Sequence, residues 1–344
     1  MLRKYRINRL RVGLSATLFL FGLLPVIFQP LHEARAADRL LGIHSARVMS
    51  QSMPWIAQEA GLFKKYDLDF RLIYIATSSS VTAAMLGGDA EIGLLGGGGI
   101  IRAFVQGASD FVFIGGVKNI LTHSILAKPE IKTPEDLKGK TIGVERFGSN
   151  PHYFATQALR RFGIDPAKDV KFIQSEGSPE TLTALLAGRL DAATMTAPQD
   201  NMAVSRGFHY VIYGPDLRLP FAAAAFVTRR AEISKRAQVL DRFMRAMAEA
   251  AKILHTDKEF TYKVLEKQLR LKDRKILDAS YNGEIKALDP RLTITLEGVQ
   301  AIIDDVAKTD ARAKGVKAED MVDRRFLDEM GKSGFFEKLW EGKR

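Results

Sequence analysis

The chain has 344 residues, no cysteine and a formal net charge of +11. Without cysteine it has no disulfide, no lipid on an N-terminal Cys, no thiolate metal site and no Cys nucleophile. Residues 1–36 hold six Lys/Arg and one Glu, so residues 37–344 carry +6 of the charge. Their basic residues are scattered among acids, as in Asp257-Lys258-Glu259, which argues for a solvated surface and against nucleic acid as a partner.

Arg3, Lys4, Arg6, Arg9 and Arg11 precede an apolar stretch from Val12 to Phe28, and Ala34-Arg35-Ala36 supplies the small residues that a signal peptidase reads. The expectation is a cleavable export signal over 1–36 and a periplasmic mature chain. A retained anchor is the competing reading, weakened by the shortness of the run and by Pro25. No adjacent Arg pair precedes the run, which favours the general export route over the twin-arginine one.

Past this leader, strands are expected at 39–43, 69–75, 91–95 and 111–114, with helices at 54–65, 78–86 and 100–106. A second set follows. Thr133-Pro134-Glu135-Asp136 is a capped turn, strands fall at 141–144, 170–174, 192–195 and 210–213, and Ser149-Asn150-Pro151 and Ser178-Pro179-Glu180 each start a helix. The apolar run at 221–228 reads as a strand returning to the first set, and amphipathic helices follow at 236–255, 261–268, 274–288, 296–308 and 324–339.

The two sets repeat at an offset of one hundred residues: Leu86-Gly87-Gly88-Asp89-Ala90-Glu91-Ile92-Gly93 aligns with Leu186-Ala187-Gly188-Arg189-Leu190-Asp191-Ala192-Ala193. Phe111-Val112-Phe113-Ile114-Gly115 aligns with Tyr210-Val211-Ile212-Tyr213-Gly214 at an offset of ninety-nine. So long a period implies two similar α/β lobes with a cleft between them. The expected division is lobe 1 at 37–125, lobe 2 at 126–222 and a mostly helical second part of lobe 1 at 223–344. Each lobe would be a mostly parallel sheet flanked by helices, and the chain would cross twice, near 122–127 and 219–226, making a two-strand hinge. Asp89, Glu91 and Asp191 fall at matching points of the repeat, which suggests a structural role in each lobe.

Ligands of open α/β sheets bind beyond the carboxyl ends of the parallel strands. That rule selects Ser52, Trp55, Ser78, Ser79, Gly97 and Gly98 in lobe 1, with Phe147, Ser149, Asn150, Thr196 and Gln199 in lobe 2. The Gly96–Gly99 run would let backbone approach a ligand and offer free N–H donors. It fits neither a Walker loop nor a dinucleotide fingerprint, and its plain alternative is a tight strand-to-helix turn. The helix start at Ser149-Asn150 would hold a sulfonate, carboxylate or phosphate, with ordinary capping as the alternative. Trp55 and Phe147 would stack on a ligand or pack in the core. No acid in these loops stands out as a partner for an ammonium, which weighs against a simple amine. The histidines (His32, His44, His123, His152, His209 and His255) lack metal-site spacing, and no Gly-x-Ser-x-Gly elbow is present. Neither a metal, a cofactor nor catalysis is expected.

The segment from Ser52-Met53-Pro54-Trp55 through Glu59-Ala60-Gly61-Leu62-Phe63 to Asp69 resembles the opening of periplasmic solute-binding proteins of the sulfonate, taurine, nitrate and thiamine-precursor group. The segments at 86–93, 136–144 and 186–192 are similar to that group's later motifs, in the same order. The resemblance implies a two-lobe type 2 periplasmic binding fold, a small-molecule solute, an ABC permease in the inner membrane as partner, and a monomer. A sensor that presents its solute to a membrane receptor is the rival reading. Enzymes of this superfamily rely on cysteine, which this chain lacks.

Overall fold

Alternating strands and helices build two five-stranded sheets, A and B, in the computed structural model, which describes residues 36–341. The expected export signal lies outside the described residues, apart from Ala36. The first run comprises β1 (Asp38–His44), α1 (Met53–Glu59), α2 (Leu62–Lys65), β2 (Leu68–Tyr74), α3 (Ser78–Gly87), β3 (Ile92–Leu95), α4 (Gly98–Val105) and β4 (Phe111–Leu121). The second comprises β5 (Ser124–Ala127), β6 (Thr141–Val144), α5 (Asn150–Arg161), β7 (Lys171–Gln174), α6 (Ser178–Leu186), β8 (Ala192–Met195), α7 (Gln199–Val204), β9 (His209–Ile212) and α8 (Gly214–Leu217). The chain then returns through β10 (Leu219–Arg229) to α9 (Arg230–Thr256), α10 (Lys258–Leu269), α11 (Arg274–Glu284), α12 (Leu296–Val306), α13 (Arg325–Lys332) and α14 (Phe335–Trp340).

Sheet A has the order β2-β1-β3-β10-β4 and sheet B the order β7-β6-β8-β5-β9. In both, the first three strands are parallel and the fourth runs antiparallel to its neighbours. The fourth strand is the exchanged one: β5 enters sheet B directly from β4, and β10 enters sheet A on leaving lobe 2. β5 straddles the boundary expected at 125/126 yet pairs wholly within sheet B, and β10 straddles that at 222/223 yet pairs wholly within sheet A.

Several elements differ from expectation for local reasons. The helix expected over 54–65 is two, parted at Gly61 with φ 68°, and that expected over 324–339 breaks at Gly334 with φ 70°. β4 runs on through Gly115 and Gly116 to Leu121, past the end expected at 114. A Cβ on Gly115 would stand 2.6 Å from Met244 Cε, and one on Gly116 2.6 Å from the Thr293 carbonyl oxygen. These glycines mark close approach of the C-terminal region to a continuing strand.

α9 is the main packing helix of sheet A. Val239, Leu240, Phe243, Met244, Met247, Ala250, Ala251 and Leu254 form its buried stripe. Phe243 meets Phe70 and Phe226 with ring centroids 5.1 and 5.6 Å apart.

The repeat has a physical counterpart at the sheet edges. Glu91 Oε2 accepts the Leu41 N–H at 2.8 Å, and Asp191 Oδ2 accepts the Thr141 N–H at 3.0 Å. Donors and acceptors are both one hundred residues apart. Backbone hydrogen bonding from Thr141, helped by its hydroxyl and by Lys128, brings the Asp191 carboxyl down to about 2. These acids tie strands together, as their matched positions suggested.

Candidate functional site

Six strand ends converge between the sheets. Ser45 follows β1, Ser78 follows β2 at the start of α3, and Gly96 follows β3; Glu145 follows β6, Ser178 follows β7 at the start of α6, and Thr196 follows β8. The turns into α3 and α6 pass through left-handed Thr77 (φ 71°) and Glu176 (φ 69°), which aims both helix starts at the cleft. Between them lies a cavity of about 30 Å³, lined by Ser45, Gln51, Ser78, Lys118, His123, Glu145, Asn150, Ser178 and Thr196, among others. It has room for a group the size of a water molecule, so a larger solute requires the lobes to part.

The lining is a quasi-twofold set. Ser78 Oγ donates to Ser45 Oγ at 3.4 Å in lobe 1. One hundred residues on, Ser178 Oγ donates to Glu145 Oε1. Gln51 Nε2 donates to Ser45 Oγ at 2.8 Å, and its Oε1 accepts the Ser45 and Ala46 amides. Burial, opposed by the Ser178 bond and reinforced by the charge of Glu180, raises the Glu145 carboxyl. Burial and then the nearby Lys118 charge hold His123 well below the ordinary histidine range, so its ring is neutral.

At the hinge Lys118 Nζ lies 2.9 Å from Glu284 Oε2, with side chains 2% and 5% exposed. Thr122 Oγ1 also donates to Glu284, and Thr196 Oγ1 does so from lobe 2 at 2.9 Å. Asn150 Nδ2 donates to the Ala223 carbonyl at 2.8 Å, and Arg102 Nη2 to that of Gly148 at 2.7 Å, so the cleft is also bridged at the start of α5.

Of the residues expected from sequence, Ser78, Asn150 and Thr196 line this cavity. Ser79 is outside this lining, with its hydroxyl 3.0 Å from Thr77 Oγ1. Ser52 is buried at the start of α1 with no hydrogen-bond partner for its hydroxyl. Trp55 faces a separate groove of about 480 Å³ on lobe 1, with His44, Arg47, Tyr74 and Lys267. Gly97 gives its N–H to the Ala222 carbonyl, and Gly98 starts α4, so the glycine run is itself the turn into that helix. Its close approach is to protein: a Cβ on Gly96 would fall 2.0 Å from Asn150 Oδ1. Phe147 is 54% exposed and sets its ring edge-on to His152, 5.1 Å away. Ser149 turns its hydroxyl back to the Arg146 carbonyl at 2.7 Å. Gln199 is buried with its Oε1 unpartnered, outside the lining.

Ser45, Gln51 and Ser178 lie in strand-end loops that the sequence marks for the cleft (45–55 and 177–178), though they were not singled out as ligand contacts; Lys118, His123 and Glu145 were passed over. The expectation that no acid stands in the cleft is corrected: Glu145 is there, two residues before the loop segment read as Phe147–Asn150. Extending the hundred-residue register from Ser45 and Ser78 reaches Glu145 and Ser178, so the signal existed. Among the described residues, no group of three or more His, Asp or Glu is placed to hold a metal.

The two sheets, their exchanged fourth strands and the cleft at their strand ends define the two-lobe α/β periplasmic binding fold. The chain belongs to the NMT1/THI5-like family, whose sequence model matches residues 52–259. It is 23% identical over 216 residues to YtlA of Bacillus subtilis (strain 168), covering 60% of this chain; the chain spans 64% of that relative's length. Among solved structures, it is similar to the alkanesulfonate-binding protein SsuA of Xanthomonas axonopodis pv. citri bound to MOPS (TM-score 0.70, 19% identity, 84% of this chain and 98% of that one). It is also similar to the periplasmic aliphatic sulphonate binding protein SsuA of Escherichia coli (TM-score 0.65, 21% identity, 81% and 94%). The desulfurization enzyme DSZB shares the fold as well (TM-score 0.66, 12% identity, 86% and 99%).

Proposed function

We propose that this protein is the extracytoplasmic solute-binding receptor of an ABC importer. It closes two lobes on a small organic solute, of the sulfonate, carboxylate, urea or pyrimidine type, and passes it unchanged to an inner-membrane permease. The observation that carries this reading is the buried, polar cavity where the strand ends of both sheets meet. Lobe contact there runs through side chains, among them Asn150, Arg102, Arg146, Gln157 and Thr196, which a hinge at 122–123 and 213–218 can separate and rejoin. Family membership and the expected export signal support a periplasmic, monomeric receptor.

Thermal unfolding against a panel of alkanesulfonates, taurine, nitrate, aromatic carboxylates, ureas and pyrimidines tests it. A true solute at about 1,000 times its dissociation constant stabilises by about 4 kcal/mol, a rise of a few degrees in a chain of this size. The compound should be recovered chemically intact. Its steady conversion to a product would replace the receptor with an enzyme.

A further inference from the structure

We propose that Glu145 selects the solute, and that its carboxylate holds a cationic nitrogen head group, an ammonium or amidinium. This rests on the receptor reading above and puts a cationic head group in place of the solute classes named there.

The quasi-twofold lining carries the argument. Ser45 and Ser78 form a neutral pair in lobe 1, and the matching pair in lobe 2 is Glu145 and Ser178. The carboxylate is the charge that breaks the symmetry. Its Oε1 takes the Ser178 hydroxyl, its Oε2 takes no hydrogen bond among the described residues, and Glu145 forms no ion pair there although it is only 9% exposed. Of the cations nearby, Lys118 is engaged with Glu284 and Thr122, Arg146 with Glu176 and Ser80, and Arg47 lies over the Tyr74 ring, 4.7 Å from its centroid. The one charged group facing Glu145 with a resolved effect, Glu180, is of like sign.

A second observation points the same way. His123 lines the same cavity, 7% exposed, and its Nδ1 has no hydrogen-bond partner. A buried carboxylate and a buried unpartnered imidazole nitrogen each cost free energy until a ligand supplies their partners. A nitrogen cation with several N–H groups neutralises the Glu145 charge and brings donors to a cavity that holds both groups. An anion would face Glu145 as a like charge, and an apolar head would leave it uncompensated.

The test is calorimetric titration of the purified protein with matched compounds and their longer homologues: propylammonium and propionamidinium on one side, propionate and propane-1-sulfonate on the other. The cationic members should bind, and Glu145→Gln, which keeps the shape and removes the charge, should weaken them about 10- to 100-fold. Binding of the anionic members alone would overturn the assignment and leave the receptor reading standing. Binding of neither set would overturn the Glu145 assignment, and the thermal-unfolding panel above would then decide the receptor reading separately. The wild-type comparison decides the matter even where Glu145→Gln fails to fold.

Discussion

Asp200, on the first turn of α7, is 6% exposed and accepts hydrogen bonds from Asn201 and Tyr210. Burial outweighs those bonds and lifts its carboxyl from 3.8 to about 6. The folded chain therefore binds this proton more tightly than the unfolded chain. The associated stability is fully present below pH 3.8 and is lost as pH rises through about 6, a change on the order of 3 kcal/mol. Asp200→Asn should flatten the dependence of the urea midpoint on pH across that window. An unchanged slope would show that Asp200 is not its source. At this level the sequence was partly legible. Ser78, Asn150 and Thr196 were reachable because strand ends and helix starts are marked by residue type. Glu145 was missed although the hundred-residue register reaches it from Ser45; that its side chain turns inward while Arg146 reaches to Glu176 and Ser80 is seen in the fold.

Elements were legible where periodicity is strong. The helices after β10 and the parallel strands of both sheets fall close to their expected spans, since a 3.6-residue stripe or a short β-branched run is a local property. Contacts between elements are non-local, and the Lys118–Glu284 pair is the clearest case, joining β4 to the end of α11 across 166 positions of sequence. Removing one partner strands a buried charge. Lys118→Met should lower unfolding free energy by about 3–5 kcal/mol, and adding Glu284→Gln should restore most of it. Urea titration of the three proteins measures this. A double variant no more stable than the single one would mean that packing, and not the charge pair, is what Lys118 supplies.

Side-chain bridges such as those of Asn150, Arg102, Arg146 and Gln157 hold the lobes together, so small changes there should alter the shape of the whole molecule. Gly96 is such a point. A methyl group on it would occupy the place of the Asn150 amide, and rotating that amide breaks its bond to Ala223 across the cleft. Gly96→Ala should favour parted lobes, seen as a larger radius of gyration in solution scattering at unchanged helix content. An unaltered radius would show that Asn150 does not hold the lobes together.

The exchanged fourth strands bear on how the chain comes to be folded at all. Leu95 at the end of β3 pairs with Ala225 of β10, and Phe113 of β4 pairs with Val227. Until residues 219–229 have emerged, β3 and β4 present open edges with no strand between them, the kind of surface that recruits other chains. Sheet B has no such wait, because its strands all fall between Ser124 and Ile212. The inserted lobe can therefore assemble first, while the lobe that begins the chain must finish last. If the chain is exported as proposed above, unfolded and amino end leading, its earliest strands stay unsettled until residue 229 has crossed.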